Sequence, residues 1–259
     1  MAKQHENYRE LIWRLAKTDF TLRYHGSVLG YVWAILKPLF IFTILNFVFS
    51  SIFNPRGQGN EYYSLELIVA IMVFNFFAEG TTAGMNALLS KSELVKKIYV
   101  PRWTIIVAAT VNSALVFLMN LGVVIIFFGV KEFVPSIAGV AVFLLYICLL
   151  YIIIVTFGLF TAPLYVYFRD LMLIWEVLLT ALFYATPVFY SLTMMPDYIQ
   201  RVLLLSPIAF IIHFTKESLI HHHFADVWQN LGFMALVAVA FGLSTVFYRK
   251  VSPSIAEKL

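Results

Sequence analysis

Apolar residues run almost unbroken over six stretches, at 31–53, 65–88, 103–128, 136–168, 171–192 and 228–248. Each is long enough to cross the roughly 30 Å hydrocarbon core of a bilayer as a helix. The fourth, taken as one helix, would reach about 50 Å. It must tilt, protrude or break, and Pro163 is the natural kink. Between the fifth and sixth stretches, Pro196 and Pro207 interrupt two apolar pieces at 199–205 and 208–214. Neither is long enough to span. The pattern predicts two short re-entrant helices dipping into the outer leaflet, with a compact external loop as the alternative.

Ahead of the first stretch the periodicity changes. Tyr8, Leu11, Ile12 and Leu15 recur at helical spacing, while Arg9, Glu10, Arg14 and Lys17 take other faces. This predicts an amphipathic helix lying on the membrane surface, or packed on a protein. Residues 1–25 lack the continuous apolar core of a signal peptide. The fold class expected is all-α: a polytopic membrane protein with six transmembrane helices, an N-terminal amphipathic interface helix and two re-entrant helices. Residues 1–30 form the interface helix and turn, and 31–259 the transmembrane domain. No internal repeat supports an inverted-repeat design.

Composition agrees. The chain has 259 residues, of which 61% are hydrophobic and only 12% charged. A soluble domain carries about 25% charged residues, so part of this surface must face lipid. Charge then sets orientation. With six spans, 14 of the 18 Lys and Arg residues fall on the side of both chain ends; only Arg56, Lys131, Arg201 and Lys216 fall on the other. Positive loops stay inside, so both ends are expected in the cytoplasm. The net charge of +4 reflects topology and attraction to the inner leaflet, not nucleic-acid binding.

Enzyme signatures are missing. The chain has no G-x-x-x-x-G-K-[ST], H-E-x-x-H or G-x-S-x-G. The single cysteine, Cys148, excludes an internal disulfide and reads as a small buried apolar residue. Three carboxylates fall within apolar stretches. Glu66 is expected to snorkel to the outer surface, whereas Glu79 and Glu176 are expected to make inner polar contacts. The triplet His221, His222 and His223 reads as a solvated loop, because adjacent residues cannot converge on one metal from a helix. No metal site is expected. Aromatic residues make up 17% of the chain. Many anchor helices at interfaces, but Phe157, Phe160, Tyr165, Phe183, Tyr184 and Tyr190 could also stack on passing sugar rings.

The inner segments carry more pattern. Tyr24 to Gly30 joins the surface helix to the first span, and its glycines permit a sharp turn. The loop from Ser90 to Arg102 reads as a short helix ended by Pro101. Its mixture of Leu94, Val95 and Ile98 with charges suits docking on another protein.

Four stretches then resemble the transmembrane subunit of ABC-2 exporters of the polysaccharide type. They are Arg14 to Leu39, with Asp19, Arg23, Tyr24, Ser27, Leu29, Gly30, Trp33 and Pro38; Leu94 to Lys97 through Pro101 and Arg102; Tyr167 to Leu171; and Ala185 to Tyr190 followed by Ser206-Pro207. The chain departs from the usual pattern at Ser206, where Asn is common, at Lys216, where Arg is common, and in lacking a second proline after Arg102.

The resemblance implies two copies of the chain forming a channel, each on a separate ATPase that binds the ATP and magnesium, with no cofactor in this chain. The segment with Glu93, Leu94, Lys96, Lys97, Pro101 and Arg102 would couple to the ATPase. Arg23, Tyr24, Gly26, Ser27, Leu29 and Gly30 would form the interface helix and turn, and Arg169 and Asp170 an inner turn. The short helices between spans five and six would line the exit of a lipid-linked glycan (O-antigen, capsule or teichoic acid) from the cytoplasmic membrane. An ABC-2 permease for a drug or small lipid is the nearest alternative. A membrane-embedded enzyme acting on lipid carriers is more remote, because no paired carboxylates or His-Asp cluster face one surface.

Overall fold

The structure is a computed structural model. It describes residues 7–24, 29, 30, 32–53, 62–97 and 101–253, with Tyr24, 51–53 and 95–97 described by backbone alone. Regular structure among these residues is entirely helical: α1 (Tyr8–Tyr24), α2 (Val32–Phe53), α3 (Tyr63–Ser90), α4 (Ser92–Lys97), α5 (Arg102–Val130), α6 (Ile137–Tyr167), α7 (Leu171–Ala185), α8 (Asp197–Leu204), α9 (Pro207–Lys216) and α10 (Val227–Val251). A π-helical turn, Glu217–His221, extends α9.

The centre of the bundle is α3, buried along most of its length between α5 and α6 and touching α2, α7 and α9. Lipid supplies no hydrophobic drive between helices, so close approach depends on small residues. Gly80 and Gly84, spaced four apart, provide it. A Cβ on Gly84 would lie 3.2 Å from the Gly158 Cα of α6, and one on Gly80 would lie 2.7 Å from Ile154 Cγ2. The other long helices turn large apolar side chains outward, among them Phe47, Ile126 and Leu243. Cys148 is on this outward face of α6, not in the core as its apolar setting suggested. The surrounding run is apolar on all sides, so periodicity did not mark which face was inside.

Three helices exceed the bilayer. α3, α5 and α6 have 28, 29 and 31 residues, or about 42–46 Å. Pro163 is accommodated within a continuous α6, so of tilt, protrusion and break the last does not occur.

The start of α1 and the residues just after α10 meet at the start of α5. The Tyr8 and Trp103 rings lie 5.7 Å apart, and the Arg102 guanidinium donates to the Ser252 carbonyl. An even number of crossings therefore separates α1 from the end of α10.

α7 has only 15 residues, where a longer span was expected over 171–192. Pro187 cannot continue a helix and restricts Thr186 to extended backbone, seen at ψ 144°. The crossing is nonetheless completed. Trp175 Nε1 donates to Thr81 Oγ1 at 3.2 Å, and Tyr63 OH donates to the Phe189 carbonyl at 3.0 Å. Between those contacts α3 rises about 27 Å; α7 supplies about 15 Å of it as helix, and the bent segment 186–190, where Val188 N–H donates to the Thr186 carbonyl at 2.7 Å, leads on to Phe189.

α8 and α9 meet at 111°. α9 buries Ile208, Phe210, Ile211 and Ile212, whereas α8 has no buried side chain. Lys216 at the end of α9 returns to the carbonyls of Pro187 and Tyr190. The segment therefore begins and ends at the outer end of the bundle, as a re-entrant pair does.

Candidate functional site

The inner end is built around α1. Its stripe of Tyr8, Leu11, Ile12 and Leu15 is partly buried, and the helix packs along α5. The face expected to meet lipid is thus largely covered by the chain itself, leaving Trp13 and Leu22 outward. Two ion pairs hold α1 to α3 and to the residue that caps it. Lys91 Nζ lies 2.6 Å from Asp19 Oδ2, and Arg23 lies 2.7 Å from Glu79 Oε1. Asp19 and Arg23 are one helical turn apart, so both face α3.

Lys91 alone separates α3 from α4. On α4, Glu93 is exposed and Leu94 packs under the helix against an inner cluster containing Leu88, Ile105 and Ile106. Lys96 and Lys97 complete α4. Pro101 precedes α5, and its carbonyl accepts from Thr104 N–H at 2.9 Å and Thr104 Oγ1 at 2.6 Å. Tyr24 ends α1, while Gly26 and Ser27 lie outside the described residues. Leu29 and Gly30 accept from Val32 and Trp33 N–H, and Gly30 sits at φ 45°, a conformation that favours glycine. Arg169 and Asp170 occupy the exposed turn between α6 and α7, with no ion pair among the described residues.

A cavity of about 560 Å³ lies among α2, α3 and α5, reached by Arg23 of α1 and Leu179 of α7. Its polar lining is Arg23, Lys37, Asn75, Glu79, Thr82, Asn86 and Asn120. Sequence reading identified Glu79 as a polar contact but not the convergence of three asparagines. Asparagine within an apolar run was the available signal.

The outer end holds a second polar assembly. Glu66 and Lys216 are 6% and 4% exposed, 3.9 Å apart, and His221 Nε2 lies 2.8 Å from Glu66 Oε1. Glu66 does not snorkel, and His221 is not part of a solvated loop. Burial of the carboxylate is offset by these partners. His223 pairs instead with Glu217 at 3.2 Å. The Lys216 ammonium donates to the Pro187 carbonyl at 2.7 Å and to that of Tyr190 at 3.2 Å. The re-entrant pair is thereby fastened to both α3 and the exit of α7. Among the described residues no cluster of three or more metal-ligating groups occurs.

The aromatic residues divide between faces. Phe157 packs on Trp175 with centroids 4.2 Å apart, and Phe183 meets Phe74 at 5.1 Å. Tyr165 packs on the central core, and Tyr190 OH donates to the Ala185 carbonyl at 2.6 Å. Phe160 turns to Phe247 of α10. Tyr184 is exposed on α7, the face it shares with Glu176 and Thr180. Glu176 makes no ion pair among the described residues, unlike Glu79.

An all-helical bundle with long apolar spans and a bent outer pair defines a multi-pass membrane protein. The profile of the ABC-2 type transporters matches residues 10–219, and the chain belongs to that family. It is an integral protein of the inner-membrane exporter type and is the non-catalytic permease; the ATPase is a separate subunit with which it partners.

Three relatives are called O-antigen export system permease protein RfbA. One, from Klebsiella pneumoniae, is 24% identical over 256 residues, covering 96% of this chain and 95% of its own. A second from Klebsiella pneumoniae is 25% identical, covering 88% of each. One from Myxococcus xanthus is 22% identical, covering 97% and 96%.

Proposed function

We propose that this chain is the transmembrane half of an ATP-driven exporter that moves a lipid-linked polysaccharide of the O-antigen class across the cytoplasmic membrane. The observation that carries this reading is the near-full-length similarity to three O-antigen export permeases. Two copies form the conduit. α7 supports this: only Trp175 on it is buried, and Glu176 is exposed on a helix that crosses the membrane. A bare carboxylate facing hydrocarbon is costly, so that face meets water or a second copy.

In this reading α4, with Glu93, Leu94, Lys96, Lys97 and the following Pro101-Arg102, docks on the ATPase, which binds ATP and magnesium. α1 and the turn through Gly30 form the membrane-interface unit, and Arg169-Asp170 an inner turn. Tyr184 faces the conduit, while Phe157, Phe183 and Tyr190 shape its wall from behind. Closure of the ATPase pair pushes α4, and the outer pair α8–α9 yields.

Deleting the gene should abolish surface glycan, and the purified chain should bring its ATPase with it. Unchanged surface glycan would refute the reading. Export of a drug or small lipid in its place would favour an ABC-2 permease for that cargo.

A further inference from the structure

The cavity beside α3 is a track rather than a pit. Asn86 and Asn75 both line it, and they lie eleven positions apart on α3, about 16 Å. Counting about 20 residues inward from Tyr63 puts the inner membrane boundary near residue 83. The polar lining therefore runs from the inner boundary to near the middle of the bilayer. Polar groups at such depth are costly unless they serve a ligand, water or each other.

Their pairing is incomplete. Glu79 is neutralised by Arg23 at 2.7 Å, which leaves the Lys37 ammonium to set the sign. Lys37, Asn75 and Asn86 show no side-chain partner among the described residues. Asn120, 6% exposed, donates through Nδ2 to the Val116 carbonyl at 3.0 Å, but its Oδ1 is buried without a partner. An unsatisfied acceptor calls for a donor such as a hydroxyl. An ammonium calls for an anion. The volume of about 560 Å³ lies within the roughly 300–1,000 Å³ usual for small-ligand sites.

We propose that this track binds the phosphate–sugar head of a lipid-linked glycan inside one protomer, Lys37 taking the phosphate and Asn75 and Asn120 the sugar hydroxyls. The head then passes from the inner boundary to mid-membrane on protein groups while its hydrocarbon tail stays in lipid. This rests on the glycan-export reading above and adds where the head is held.

The test uses the permease–ATPase complex and native mass spectrometry. The probes are a polyprenyl diphosphate bearing one N-acetylhexosamine, the same lipid without sugar, a neutral polyprenyl glycoside, phosphatidylglycerol and inorganic phosphate. Lys37→Met should weaken both diphosphate lipids at least tenfold and spare the neutral glycoside; Lys37→Arg should restore them. Asn120→Leu should weaken the two sugar-bearing lipids three- to tenfold and spare the sugar-free one. Thermal unfolding and ATPase association of each variant check that it is folded.

Unchanged binding in both Lys37→Met and Asn120→Leu, or equal occupancy by phosphatidylglycerol or inorganic phosphate, overturns the proposal. If wild-type cells still export glycan in that case, the track alone is wrong. If they export none, the glycan reading falls with it.

Discussion

Lys91 Nζ sits 2.6 Å from the Asp19 carboxylate, joining the last turn before α4 to the middle of α1. Both side chains are about one-fifth exposed, so the pair is worth more than a fully solvated bridge but remains screened by water. Asp19→Asn should cost about 1 kcal/mol in folding and lower transport per ATP hydrolysed. The exchange Asp19→Lys with Lys91→Asp should recover much of that ratio. The measurement is ATPase turnover against glycan export. An unaltered ratio in Asp19→Asn would remove α1 from the coupling path.

Charge reversal at Lys96 and Lys97 should loosen the ATPase without disturbing the spans. Co-purification in detergent reads the first and thermal unfolding the second. Intact co-purification would mean that the docking helix lies elsewhere.

At the outer end, Glu66→Gln strands the Lys216 ammonium, 4% exposed, beside a neutral amide. Breaking a buried pair from one side costs about 3 kcal/mol or more. The double variant Glu66→Gln with Lys216→Met should regain most of this, since no bare charge remains. Unfolding midpoints of the three proteins decide the matter; a double variant no better than the single one would assign the effect to the Pro187 and Tyr190 carbonyls.

Gly84→Leu should be poorly tolerated, because its Cβ would press the Gly158 backbone at 3.2 Å. Overpacking of this sort costs about 1–3 kcal/mol. Gly122→Ala and Gly242→Ala meet nothing within 4 Å and should be neutral or stabilising by up to about 1 kcal/mol. Expression and unfolding temperature separate the two groups.

Gly30→Val should strain the entry to α2, as valine disfavours φ 45°. A cost of about 1–2 kcal/mol is expected, read as lower yield of membrane-inserted protein. Gly30→Asn should be milder.

The long spans, the α1 stripe and the break at Pro196–Pro207 were legible because they depend on local order: apolar length, period and proline. Glu66, Lys216 and His221 were not. Their partnership joins positions 155 residues apart, and each residue alone looked like a surface charge near a helix end. Cys148 misled for a related reason, since a run apolar on every side hides which face is inward. α7 lay between these cases: Pro187 was visible, but the bent segment that follows the helix depends on Tyr63 and Trp175 holding it to α3. The polar track was half legible, as asparagines in apolar runs whose convergence only the packing of α3 on α5 reveals.

The overlong α3, α5 and α6 have a mechanical corollary. About 8–11 residues of each exceed the 20 that the hydrocarbon requires, a surplus of roughly 12–16 Å of helix. α4 hangs from the end of one of these rods by a single residue. If α4 docks on the ATPase as proposed, a thrust arriving there would meet a stiff lever whose far arm is the membrane bundle. Displacement below the bilayer would then become tilt within it.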